Sequence, residues 1–385
     1  MRTPEEFDEI RPYDPEELPA IFEELIADPE FRAAAEQVLP EVPYEEACNR
    51  LRRCRTNLEV QQTFFYPLLH GIVDRCSDGL VLENSLSVDK RVPHTFITNH
   101  RDIVMDSAFL SISLLDNGFG NTMEIAIGDN LLIRPWIKKL VRVDKAFIVQ
   151  RSVSLRQMLA SSARLSRYMH YAIATKHENI WIAQREGRAK DSNDRTQDSI
   201  LKMMAMGGEG SIIDRLKQLN LVPTALSYEY DPCDYLKAQE FQQKRDIEGF
   251  KKSPKDDLVN MQTGIFGYKG RICFRVAGPL NDWLDTLPAD MPKTELFTAV
   301  ASRIDKEIHR NYKLYAGNYV AADLLRGTQE FAAHYTSEEK TRFEAYLESR
   351  LEKVTLPNPD TAFLRERLLT MYANPVFNYM AARQK

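Results

Sequence analysis

Between residues 94 and 277 the chain repeats one grammar, a short run rich in β-branched and aromatic residues followed by a longer stretch with helical spacing. The runs are HTFIT (94–98), MEIAI (123–127), AFIVQ (146–150), NIWIA (179–183), LVPTALS (221–227) and RICFRVA (271–277). Parallel strands need a crossover of a dozen or more residues, and each crossover helix covers one face of the sheet. The alternation therefore predicts an α/β fold, a mixed, largely parallel sheet flanked by helices.

The flanks read differently. Residues 1–85 show no strand pattern but carry helix starts at Asp14-Pro15-Glu16-Glu17 and Pro43-Tyr44-Glu45-Glu46. There proline occupies a first turn and acids face the positive end of the helix dipole. After residue 316 the chain is helical again, with a capping box at Thr336-Ser337-Glu338-Glu339 and a Leu356-Pro357-Asn358-Pro359-Asp360 break before the last helix. The expected organisation is a helical N-terminal region (1–85), an α/β domain (86–315) and a helical C-terminal region (316–385). The charged stretch 234–257 is expected as an exposed helix and loop inserted between the last two strands.

Composition narrows the function classes. With 43% hydrophobic and 28% charged residues and a net charge of -5, the chain reads as soluble and globular, without the basic excess of a nucleic-acid binder. Its five cysteines form no C-x-x-C pair, so they are expected to be reduced, in a cytosolic compartment. The first thirty residues hold eleven Asp or Glu against Arg2 and Arg11, the opposite of a signal or transit peptide. No apolar window approaches the ~20 residues that span a bilayer.

The stretch FITNHRDIVMDSAF (96–109) concentrates His100, Arg101, Asp102 and Asp106 in a largely apolar run. The tripeptide His-Arg-Asp invites comparison with the protein-kinase catalytic loop, which requires an Asn five residues after the Asp, a glycine-rich loop upstream and a D-F-G downstream. Here that Asn position holds Ser107, only Gly71 and Gly79 precede the motif, and there is no D-F-G. Taken alone, His100 is equally compatible with a structural strand-end histidine, and Asp106 with an acid favoured in a first helical turn. Position speaks for a site, because His100 follows the run HTFIT, at the carboxyl end where α/β sheets place ligands.

Three later segments change the weighing. A basic, apolar stretch leads to Phe147-Ile148-Val149-Gln150-Arg151, the strand NIWIA runs into Glu186-Gly187-Arg188, and Val222-Pro223 interrupts an apolar strand. Together with Asn99-His100 and Asp106, in this order over residues 90–230, they resemble the four sequence blocks of the glycerophospholipid acyltransferase superfamily, the bacterial lysophosphatidate and glycerol-3-phosphate acyltransferases. The chain departs from the pattern as a divergent branch. Five residues rather than four separate His100 from Asp106, Arg151 lies one position later, and Arg188 follows Gly187 directly. At about 100° per residue neither His–Asp spacing aligns the pair on one helix, so the two must meet across a loop-to-helix junction. The insertion leaves Asp102 as an alternative orienting acid beside the favoured Asp106.

What the resemblance implies is O-acyl transfer from an acyl thioester, carried by acyl-CoA or acyl carrier protein, to a lysophospholipid or glycerol phosphate. His100 would be the base and Asp106 its orienting acid, because a near-neutral imidazole needs its second nitrogen held by a carboxylate. Arg151, Glu186, Gly187 and Arg188 would form the acceptor site, with Lys190 and Arg101 as lesser phosphate ligands, since guanidinium groups match phosphate oxygens. The expected acceptor is 1-acylglycerol 3-phosphate. Glycerol 3-phosphate or an aminolipid is the enzymatic alternative, and a non-catalytic lipid-binding relative the alternative from another class. No metal-ligand spacing and no glycine-rich phosphate loop occurs, so neither metal nor cofactor is expected. Residues 131–145 carry Arg134, Lys138, Lys139, Arg142 and Lys145 against Asp144 alone, with Trp136 among aliphatics. They are expected to touch an anionic membrane surface, with the uncharged window 60–73 as a second contact, on the cytoplasmic face.

Overall fold

The computed structural model describes residues 2–39, 42–132, 134–151 and 154–384. All six expected strands form, and a seventh joins them. In chain order they are β1 (Leu80–Glu83), β2 (Thr95–Thr98), β3 (Met123–Gly128), β4 (Ala146–Val149), β5 (Asn179–Ala183), β6 (Leu221–Tyr228) and β7 (Ile272–Val276). They make one sheet in the order β1-β7-β6-β2-β5-β3-β4, parallel throughout except where β6 meets β7. The alternation in the sequence thus delivers the predicted mixed, largely parallel sheet. β1 corrects the reading of residues 1–85 as wholly helical: LVLE at 80–83 is an edge strand on β7, too short to show a period of two.

Strand alternation sends Ile180 and Ile182 of β5 to one face and Trp181 to the other. On the first face they join Ile97, Phe147 and Leu221 and pack against the helices Leu155–Ala174, Asp198–Met204 and Lys293–Arg310. On the second, Trp181 joins Phe96, Val222 and Phe274 against the helices Tyr66–Cys76 and Met105–Asp116. Each such side chain contributes roughly 1.5–3 kcal/mol by leaving water, which makes the sheet a rigid platform for its turns.

The terminal regions do more than extend the fold. The C-terminal helices Ala316–Arg326, Ser337–Leu351 and Thr361–Arg383 share their own core, capped as expected by the Thr336 hydroxyl on the Glu339 amide. The helix Asp234–Asp246, expected to be exposed, is instead covered by these helices. Its Asp234, Lys237, Glu240 and Gln242 are buried, with Asp234 paired to Arg350 and Lys237 to Asp231. Pairing is what allows such charges to leave water.

The segment 131–145 also packs on protein. Its helix Pro135–Val143 lies against the helices Leu18–Ile26 and Pro29–Val38, with Trp136 edge-on to Phe31. Arg134 pairs with Glu30, Lys139 with Glu24 at 2.7 Å and Lys145 with Glu178 at 2.5 Å. Arg142 lies over the Tyr13 ring and donates to the carbonyls of Asp8 and Arg11. Ile133 lies outside the described residues. Acids of the N-terminal helices thus meet this basic stretch, and its Trp136, Leu140 and Val143 pack against the N-terminal core. In the window 60–73, Val60, Leu69, Ile72 and Val73 are likewise buried. No helix among the described residues is long and apolar enough to cross a membrane.

Candidate active site

Because β2, β3, β4 and β5 run parallel, their carboxyl ends share one edge, and the turns leaving them meet there. β2 ends at Thr98 and delivers Asn99 and His100, β4 delivers Arg151, and β5 delivers Arg185 through Arg188. Asn99 is completely buried. Its side chain donates to the Leu226 carbonyl at 2.9 Å and accepts from the Leu226 amide at 2.8 Å, tying the end of β2 to β6.

His100 then turns back onto the first turn of the helix Met105–Asp116. Its Nδ1 lies 2.8 Å from Asp106 Oδ2, and its ring stands edge-on to Trp181 with centroids 5.7 Å apart. The intervening loop wraps the buried Asp106 carboxylate, which accepts from the amides of Arg101 at 2.6 Å and Asp102 at 3.0 Å. The Tyr228 hydroxyl donates to the other oxygen, Oδ1, at 2.9 Å. Five intervening residues thus leave His100 and Asp106 in contact, with the amides of Arg101 and Asp102 donating to the same acid.

Asp102 faces elsewhere. It accepts from the amides of Val104 at 2.9 Å and Met105 at 2.8 Å, capping the helix that carries Asp106. Burial, and then the neighbouring Asp106, raise its carboxyl above the usual range. The helix Pro254–Phe266 passes directly over it at Gly264, where a Cβ would lie 1.8 Å from Asp102 Oδ2.

A cavity of about 560 Å³ opens at this edge of the sheet. His100 and Trp181 form part of its wall, together with the apolar side chains Ile125, Ile127, Val149, Leu165 and Met203. The lining also holds the cations Arg151, Arg185, Arg188, Lys190 and Lys252 and the acids Glu186 and Asp257. Glu186 is exposed and lies 3.5 Å from Arg151. Its backbone N–H donates a hydrogen bond to Gln197 Oε1 at 2.7 Å, and the turn is completed by Gly187 at φ +67°, a conformation that suits glycine. Arg188 donates to Asn260 at 3.1 Å with one terminal nitrogen. Its other terminal nitrogen and Arg185 Nε are buried with no hydrogen-bond partner among the described residues. Lys190 pairs with Glu240, yet burial pushes its amine down to about 8.

The structure thus gathers His100, Arg151, Glu186, Gly187, Arg188 and Lys190 at one cavity. Arg101 is not among the residues that line it. Its guanidinium turns into the protein and donates two buried hydrogen bonds to Asp194 at 2.8 and 2.6 Å, where Tyr312 also donates. Val222-Pro223 lies within β6, opposite Phe96 and Ile97 of β2, rather than at the cavity. Sequence reasoning passed over Arg185, one position before the motif it singled out. It also missed Tyr228, whose only signal is its place at the carboxyl end of a strand, six positions past Val222-Pro223.

No protein-family model matches this sequence, and no curated protein matches it. Among solved structures, the chain is similar to the crystal structure of the 1-acyl-sn-glycerophosphate acyltransferase PlsC from Thermotoga maritima. The identity is 13% and the TM-score 0.38, over 77% of this chain and 96% of that one. Likeness of that degree leaves the chemistry to be read from the site itself.

Proposed function

We propose that the protein is an O-acyltransferase that moves a fatty acyl group from an acyl thioester to a hydroxyl of a lysophospholipid, with 1-acylglycerol 3-phosphate as the acceptor. One observation carries the reading: His100, held by Asp106, lines a cavity together with apolar side chains and with the cations Arg151, Arg185, Arg188 and Lys190. An amphiphile with a phosphate head, a free hydroxyl and an acyl tail matches such a cavity.

With Nδ1 turned to Asp106, Nε2 is the nitrogen left for substrate. It takes the proton of the acceptor hydroxyl as the oxygen attacks the thioester carbonyl. The C–O bond forms, the C–S bond breaks, and the imidazolium returns the proton to the departing thiolate. Asp106 holds the tautomer and stabilises the imidazolium between those steps. Arg151 and Arg188 would bind the acceptor phosphate, Arg188 through its unpartnered nitrogen. Glu186, close to Arg151, would orient that guanidinium or accept from a glycerol hydroxyl.

The test is an acyl-transfer assay with purified protein. The acceptors are 1-acylglycerol 3-phosphate, glycerol 3-phosphate and an aminolipid, each offered with acyl-CoA and with acyl carrier protein. Product is expected with the first acceptor, and His100→Ala should lower kcat by about 10²–10⁴-fold. Equal rates for wild type and His100→Ala with every acceptor would overturn the proposal.

A further inference from the structure

Tyr228 closes β6 at the edge where β2 ends, and strand alternation puts it on the same face as Val222 and Leu226, within the apolar core. As a core side chain it needs only its ring. Its hydroxyl, however, reaches Asp106 Oδ1 at 2.9 Å, while Oδ2 takes His100 at 2.8 Å. The two oxygens of one buried carboxylate are thereby divided, one for the tyrosine and one for the histidine. β6 also clamps the start of the same turn through Leu226 and Asn99. Two residues of one strand, two positions apart, hold both ends of the segment that presents His100.

We propose that Tyr228 is a positioning residue, which fixes the Asp106 carboxylate and sets how strongly that carboxylate holds a proton on His100. A carboxylate that shares its charge with a donor on one oxygen is a weaker partner for an imidazolium on the other. Tyr228 therefore draws part of the Asp106 charge away from the imidazole. Other charged groups stand around the pair. Asp102 lies on the same turn, Asp231 follows β6 and pairs with Lys237, Lys269 precedes β7, and Arg188 comes from the turn after β5. Tyr228→Phe changes none of them. The catalytic consequence rests on the proposed role of His100 as base, whereas its proton affinity can be measured without turnover.

The experiment is an NMR titration of the His100 ring nitrogens in the full-length protein, with the resonance assigned by its loss in His100→Gln. Tyr228→Phe should raise the His100 midpoint by about 0.5 pH unit or more. Replacing Tyr228 with 3-fluorotyrosine keeps the shape but strengthens the donor, and should move the midpoint the opposite way. Tyr312→Phe, which removes an equally buried donor from Asp194, should leave the midpoint in place. In an Asp106→Asn background, Tyr228→Phe should add no shift. An unchanged midpoint in folded Tyr228→Phe, or in the fluorotyrosine protein, would overturn the proposal. Absence of acyl transfer with an intact shift would count against the proposed reaction alone.

Discussion

The two ends of the cavity are built on opposite principles. At the His100 end both acids are satisfied from within: Asp106 accepts from a ring nitrogen, a phenol and two backbone amides, and Asp102 caps the helix beneath it. At the arginine end, Arg185 and Arg188 keep buried nitrogens without partners among the described residues, and Arg151 meets Glu186 only loosely at 3.5 Å. A buried donor left unmade costs roughly 1–3 kcal/mol, so the second end has donors to offer an anion while the first is already assembled. Under the proposed function, the chemistry that needs accurate geometry would fall to the fully bonded turn and recognition of the ligand to the under-bonded one.

That contrast can be broken most sharply at the rigid end. Asp106→Asn is expected to lower kcat by about 10²–10⁴-fold, with only a small change in KM. Asp102→Asn should cost about 1 kcal/mol of stability by urea denaturation, through the weakened helix cap, and change kcat less than about threefold. A large kcat loss in Asp102→Asn with little in Asp106→Asn would reverse the assignment of the orienting acid.

The arginines give the next largest effect and separate two cations of different motifs. Arg188→Ala should raise KM for a phosphate acceptor by about 10–100-fold while the protein melts normally. Arg101→Ala should instead destabilise the fold by about 3–5 kcal/mol, because it leaves Asp194 buried and unpaired. Thermal melts beside steady-state kinetics will tell them apart, and a pure KM effect in Arg101→Ala would place it in recognition after all.

The smallest expected effect is a pH dependence. Lys190 loses its proton near pH 8 in the folded protein, against 10.5 for an ordinary lysine. Between those values the unfolded chain binds more protons, so this group makes stability rise with pH. Phosphate recognition should run the other way, with KM for the acceptor rising about tenfold between pH 7 and 9. Lys190→Arg, which stays charged, should flatten that rise.

How much of this was legible in the chain differs by residue. The six strands from 95 to 276 were visible because a parallel sheet covered on both faces writes itself as short apolar runs between helical ones. The same periodicity put His100, Arg151 and Glu186 at strand ends, and hence at one edge. β1 was not visible, because four residues carry no period. Nor could the chain show that Arg101 turns away from the cavity while its neighbour His100 lines it.

The sequence by itself determined the class of fold, the edge of the sheet that carries the site, and the residue types gathered there, since all three follow from local pattern and strand direction. Only the tertiary structure decided which acid meets His100, that Tyr228 stands behind that acid, and that the 131–145 helix packs on the N-terminal region. Those outcomes depend on partners far apart in the chain, 122 positions for Asp106 and Tyr228 and 134 for Arg142 and Asp8. Which charge finds which partner is settled by packing at a distance, and no local period records it.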